Sequence, residues 1–149
     1  MKLNLGCCDA LIPGFVNVDL VASPGVHPAD LRQPWPWPES SAELVRAWDI
    51  IEHLPDKILT MNEMYRVLQP GGLADISVPT TEGSGAFQDP THVSFWNRRS
   101  FIYFEADHPY RERFARFYGI TAKFRPLREQ IDQSVDGPRL TILLQAVKP

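Results

Sequence analysis

Residues 2–20 read KLNLGCCDALIPGFVNVDL, and this stretch decides the fold. Leu3 and Leu5 alternate with Lys2 and Asn4; Val16, Val18 and Leu20 alternate with Asn17 and Asp19. That period of two marks two strands with one buried face each. Gly6 closes the first run, and Asp19 ends the second thirteen positions later. Only eight residues lie between Gly6 and Phe15, too few for a crossover helix. An extended link of that length reaches at most ~28 Å, so a parallel return past a short strand is made by a bare loop or a single turn. Asp30 follows Asp19 by only eleven positions, with the same consequence.

Farther along, GVHPADL (25–31) and AELVRAW (42–48) are strand-like, each ending near a turn former. A helix is predicted from Pro55 to Gln69, because Ile58, Met61, Met64, Tyr65 and Leu68 recur at helical spacing behind a proline at the first position. Pro70, Gly71 and Gly72 are expected to end it, and Leu73–Val78 to form the next strand, parallel to the previous one through a right-handed crossover. The segment TTEGSGAFQDPTHVSF (80–95) has no clear period and reads as a long loop, a kind often functional. Asn97 is placed to cap a short helix running to Phe104, and a second helix starts near Pro109 with Tyr110, Phe114 and Phe117 on one face. Stretches 120–131 and 139–147, separated by Asp136 and Gly137, predict an antiparallel hairpin.

The expected fold is therefore α/β: a mostly parallel sheet with a C-terminal antiparallel hairpin, forming one domain over residues 1–149. Polar residues Lys2, Asn4, Asn17, Asp19, Arg46, Asp75 and Ser77 alternate with apolar ones, whereas strands covered on both faces run continuously apolar. Two layers are predicted, with helices mainly on one face and the other face exposed or used in self-association. A twofold homodimer is the commonest closed form of such association.

Composition narrows the function. Hydrophobic residues are 44% and charged residues 22% of the 149, as in ordinary globular domains, and no apolar run approaches the ~18 residues of a membrane span. No basic segment followed by an apolar stretch opens the sequence, so a cytoplasmic location is expected. Cys7 and Cys8 are adjacent and suit neither a disulfide framework nor a zinc site. A net charge of −3 gives no footprint for nucleic acid. Eight of the fifteen basic residues fall between Arg98 and Arg128, either a solvated face or a site for an anionic substrate.

The motifs LNLGCC (3–8), PGFVNVDL (13–20), ADL (29–31), WDIIEHLPD (48–56), QPGG (69–72) and a strand ending in VPT (78–80) together resemble the Rossmann-like S-adenosylmethionine-dependent methyltransferases. The likeness is strongest to a compact bacterial subgroup whose chains also carry a DPTH segment, here residues 89–92. The resemblance implies S-adenosylmethionine as cofactor, with Gly6 allowing its close approach and Asp19 accepting the ribose hydroxyls. Asp30 and Leu31 match the segment that meets the adenine. Asp49, Ile50, Ile51, Glu52 and His53 match the stretch beneath the methionine part, where Glu52 could hold backbone amides or the ammonium. Two departures stand out: Cys8 occupies the usual second glycine, and Asn4 the usual acid.

Methyl transfer from a sulfonium is a single displacement, so alignment in a dry site is the protein's main task. A base, where one is needed, is sought among His92, Asp89 and His53, the first two lying three apart around Pro90. These three residues, two imidazoles and a carboxylate, would also suit a metal, but only their composition argues for it, and no metal is expected. The acceptor is expected to be a small molecule, with anionic and sugar-like compounds as the candidates. Trp35, Trp37, Phe87, Phe95 and Trp96 either line its pocket or pack against the body of the domain. Two rivals remain: a nicotinamide dehydrogenase, whose GxGxxG turn is absent, and a non-catalytic relative acting as cofactor sensor or assembly partner.

Overall fold

The computed structural model describes all 149 residues, in the order β1 (Lys2–Leu5), β2 (Val16–Asp19), β3 (Val26–Pro28), β4 (Ala42–Trp48), α1 (Lys57–Val67), β5 (Leu68–Pro79), α2 (Arg98–Phe101), α3 (Pro109–Tyr118), β6 (Phe124–Ser134) and β7 (Gly137–Ala146). Seven strands form one sheet in the order β3-β2-β1-β4-β5-β7-β6. The pairs among β1 to β5 are parallel, and β7 runs antiparallel to both β5 and β6.

Register explains the alternation seen in the sequence. Val16, Leu3, Val45, Ala74 and Leu144 lie in one row, and Val18, Leu5, Ala47, Ile76 and Ile142 in the next on the same face. All but the half-buried Val16 belong to the buried core. The row between them is Asn17, Asn4, Arg46, Asp75 and Leu143, on the opposite face. Side-chain period two and parallel register thus sort polar from apolar across five strands.

The helices gather on the apolar face, as right-handed crossovers that step in one direction require. Tyr65 of α1 meets Phe124 edge-on at 5.6 Å, and Arg98 of α2 pairs with Glu129; both partners project from β6 on the apolar side. No helix follows β1, β2 or β3. The link after β3 instead lies against α1. Glu63 accepts from Trp35 N at 2.6 Å and from Arg66, which also donates to the Trp35 and Trp37 carbonyls at 3.0 and 2.9 Å. On the other face, the loop after β1 covers only Asn4 and Asn17. Asn4 Nδ2 donates to Ala10 O and Asn17 Oδ1, and Ile12 N donates to Asn17 Oδ1. Beyond that loop, the Arg46 guanidinium lies 4.0 Å over the Trp48 ring, and Trp48 Nε1 donates to Asp75 Oδ2 at 3.0 Å.

Several local expectations change. Pro55 is not the first helical residue: Asp56 caps α1, accepting from Ile58 N and Leu59 N at 2.9 Å, so the helix starts two residues later, at Lys57. It ends at Val67, and Leu68 is already paired with Ala42. Pro70-Gly71-Gly72 therefore forms an irregular stretch inside β5, where a register shift absorbs it, rather than a helix stop. In α3 the aromatic face is Tyr110, Phe114 and Tyr118 gathered around Tyr103, with Phe114 and Tyr118 stacked at 5.4 Å; Phe117 points to solvent. The hairpin starts at Phe124, which pairs with Ala146, and residues 120–123 precede the ladder.

Candidate active site

The direction in which successive strands are added to the sheet reverses between the parallel neighbours β1 and β4: β2 and β3 lie on one side, β5 and beyond on the other. Clefts of open α/β sheets form at such a switch point, beyond the carboxyl ends of the strands. Here a cavity of about 150 Å³ is lined by Gly6, Asp19, Leu20, Ala29, Asp30, Leu31, Arg32, Ile50, His53 and Leu54. A second, polar cavity of about 140 Å³ is lined in part by Asp49, Pro79, Asp89, His92, Asp136 and Arg139.

Gly6 sits at φ +63°, and a Cβ there would stand 2.7 Å from Ile50 Cβ, so Ile50 packs directly on the bare backbone beside the cavity. Cys8 has φ +47°, a left-handed value that explains why glycine suits this position. Its thiol is exposed and lines neither cavity; its backbone N–H donates to Asp19 Oδ2 at 2.9 Å, while Leu20 N donates to Oδ1 at 2.7 Å. Oδ1 also accepts from Val21 N at 3.5 Å, so the lone pair left for another donor is on Oδ2. Asp30 is held by Arg32, Nε to Oδ1 at 2.8 Å and Nη2 to Oδ2 at 2.9 Å, which draws its pKa below the usual value. Leu31 is buried at the cavity wall. Asn4 does not line the cavity, and both donors of its Nδ2 anchor the loop after β1 and Asn17.

Glu52 and His53 lie in a turn of 3₁₀ helix just past β4. Glu52 is 2% exposed, and neither carboxylate oxygen has a hydrogen-bond partner. Burial pushes its pKa up to about 7, with nearby Asp49 adding to the shift. His92 Nε2 lies 4.0 Å from Glu52 Oε1 and 3.8 Å from Asp89 Oδ2, and the His53 and His92 rings meet edge-on at 4.8 Å. The loop carrying His92 is clamped to β4's exit: Val93 N and Ser94 N both donate to Glu52 O, Ser94 Oγ to Ile51 O and Trp96 Nε1 to Ser94 Oγ. Asp89 both closes a turn and faces the histidine. Its Oδ1 accepts from Thr91 N and Oγ1 at 2.8 and 2.7 Å, lowering its pKa.

Asp49 stands at φ +54° and accepts from Arg139 Nη2 at 2.6 Å. Arg139, Thr91 and the Ala86 carbonyl are site groups that sequence reasoning missed. Arg139 enters from β7, ninety positions from Asp49, and no local pattern announces it. None of the eight basic residues between Arg98 and Arg128 lines either cavity, and of them Arg98 is ion-paired, with Glu105 and Glu129. Among the aromatics, Trp35, Trp37 and Trp96 are core residues, while Phe87 and Phe95 are exposed and stack at 5.0 Å.

This sheet order and switch-point cleft define a Rossmann-like methyltransferase fold. Residues 15–75 match the family model described as "Methyltransferase domain". Among solved structures, a SAM-dependent methyltransferase from Methanosarcina mazei is 13% identical with a TM-score of 0.69, the match covering 99% of this chain and 92% of that one. The N-methyltransferase NodS of Bradyrhizobium japonicum WM9 is 14% identical with a TM-score of 0.65, covering 99% and 85%. The 1,6-didemethyltoxoflavin-N1-methyltransferase of Burkholderia thailandensis, solved with 1,6-didemethyltoxoflavin and S-adenosylhomocysteine, is 12% identical with a TM-score of 0.64, covering 99% and 71%. No curated protein matches the sequence. The resemblance drawn from the motifs holds for the fold and for the family model. No helix is long and apolar enough to cross a membrane.

Proposed function

We propose that this chain transfers a methyl group from S-adenosylmethionine to a small-molecule acceptor. The observation that carries the reading is the switch-point cavity that brings Gly6, Asp19, Asp30 and Leu31 together from the ends of three strands. Its residues suit the nucleoside: Gly6 without a side chain at the strand end, a free lone pair on Asp19 Oδ2 for a ribose hydroxyl, and Leu31 for the adenine face. The cavity's size suits part of the cofactor, and Arg32, with its exposed side chain, forms a yielding wall. When bound, the cofactor supplies an electrophilic methyl group on a good leaving group. The acceptor side is then the polar cavity, where the Asp89–Trp96 loop and Arg139 face Asp49.

Acid–base work at the acceptor falls to His92, assisted by Asp89 and His53. Its Nδ1 lies 3.1 Å from the Ala86 carbonyl, which holds the proton on that nitrogen and leaves Nε2 as the basic atom facing the two carboxylates. Glu52, pushed up to about 7, is the group best matched to hold or release a proton near neutrality.

Calorimetry with S-adenosylmethionine and its demethylated product tests the reading. Both are expected to bind, and failure of both at millimolar concentration supports the non-catalytic alternative. In Asp19→Ala, ribose hydroxyls left with poorer partners cost about 1–3 kcal/mol, a dissociation constant raised roughly 5- to 150-fold. Unchanged affinity in that variant removes Asp19 from the cofactor site.

A further inference from the structure

We propose that Glu52, His53 and His92 form a binding site for one divalent first-row transition-metal ion. The ligand-capable atoms of these three side chains all lie within 4.8 Å of one another. Donors bonded to one ion at ~2.0–2.1 Å stand about 3.0–3.4 Å apart, so movements of about an ångström close the set. Two imidazoles and one carboxylate select for zinc, iron, cobalt, nickel or manganese over magnesium and calcium, which prefer all-oxygen sites.

Two further observations point to a cation. The first is the carboxylate of Glu52, 2% exposed and aimed at the two imidazoles with both oxygens unpartnered. A buried ionised carboxylate is tolerated when paired or coordinating a metal, and a cation between it and the histidines satisfies it. The second is the way the far side of each imidazole is held. His92 Nδ1 is hydrogen-bonded to the Ala86 carbonyl, and His53 Nδ1 lies 3.0 Å from Thr91 Oγ1. The Thr91 hydroxyl donates its proton to Asp89 Oδ1 and so accepts from His53, which puts the lone pair on His53 Nε2. Both rings are thereby fixed in the tautomer that leaves one nitrogen free to ligate, as outer-shell partners of metal-bound histidines do. Asp89 Oδ2, 3.8 Å from His92 Nε2, is within reach as a fourth donor. Remaining coordination positions are left for water or for an oxygen or nitrogen of the acceptor.

The inference deepens the methyl-transfer reading and rests on it only for the ion's use: the imidazoles become ligands, and the ion acidifies a bound acceptor group in place of a base. Binding of the ion is independent of the cofactor. The test is titration of the chelator-stripped full chain with Co²⁺ alone, followed by calorimetry and by visible d–d absorption, which reports imidazole and carboxylate coordination. One Co²⁺ per chain is expected, displaced by Zn²⁺, with a rise in melting temperature on saturation. Thr91→Val, which frees His53, is expected to weaken Co²⁺ binding about 10- to 100-fold, and Glu52→Gln and His92→Gln by more than that. Absence of binding at millimolar Co²⁺, or binding that Glu52→Gln and His92→Gln leave unchanged in folded protein, overturns the site. A chain that binds S-adenosylmethionine but no Co²⁺ defeats this inference alone; one that binds Co²⁺ at these residues but neither cofactor form defeats the methyl-transfer reading alone.

Discussion

In chelator-treated protein, Glu52→Gln is expected to raise the free energy of unfolding by about 3 kcal/mol well above pH 7, with the gain shrinking to nothing at about pH 4. The carboxyl has its ordinary pKa of 4.5 in the unfolded chain and about 7 in the fold. Between those values the folded chain holds a proton that the unfolded chain has lost, so stability falls as pH rises through that window. Above about 7 the folded chain also carries the charge, and the whole penalty is present. Below 4.5 both states are protonated, and glutamine and neutral glutamic acid differ little. Asp49, which disfavours the charge, and His92 and Arg139, which favour it, are the charged and titratable groups that bear on it. Urea unfolding of the two proteins across this range measures the effect. A difference that does not change with pH shows that Glu52 is not an unpaired buried acid. The same substitution is expected to abolish Co²⁺ binding, so a more stable fold and a lost site would appear together, as at sites where function is retained against stability.

Gly6→Ala is expected to destabilise the fold by about 2–5 kcal/mol, combining ~1–2 for a left-handed residue with a side chain and ~1–3 for forced overpacking. The overpacking arises because the added Cβ would meet three Ile50 side-chain atoms at 2.7–2.8 Å. Gly14 supplies the control. It also has positive φ, +81°, but a Cβ there meets nothing within 4 Å, so Gly14→Ala should show only the backbone part. Ile50→Ala placed on top of Gly6→Ala should recover part of the steric cost and none of the backbone cost. Equal losses in the two single variants would mean that Ile50 moves aside freely and that Gly6 is a turn glycine only.

Much of the scaffold was legible because the relevant forces are local. Polar–apolar alternation at Lys2–Leu5 and Val16–Asp19 marks strands, Met61 and Met64 at helical spacing mark α1, and Asn97 caps α2 as its residue type suggests. The short links after Gly6 and Asp19 foretold a sheet with helices on one face, since chain length alone forbids a helix there. The errors came where residue types carry two meanings. Pro-Gly-Gly at 70–72 ends a helix in one context and bends a strand in another, and pairing with β4 chose the second. Trp35 and Trp37 are compatible with a pocket or a core, and the Glu63–Arg66 pair on α1 draws their backbone inward.

For the site, the sequence by itself determined the strand-end residues: Gly6, Asp19, Asp30, Asp49 and Glu52 fall where strands stop, because the hydrophobic period stops there. Only the tertiary structure decided their partners. Asn4 turned away to hold a loop, Arg139 arrived from β7 to meet Asp49, and His92 was carried across forty positions to face Glu52. Those pairings depend on strand order and on hydrogen bonds from a loop without a period, and neither leaves a local trace. The physical reason is range: alternation and capping act over a few residues, whereas the field around a buried carboxylate is set by whatever the fold packs against it.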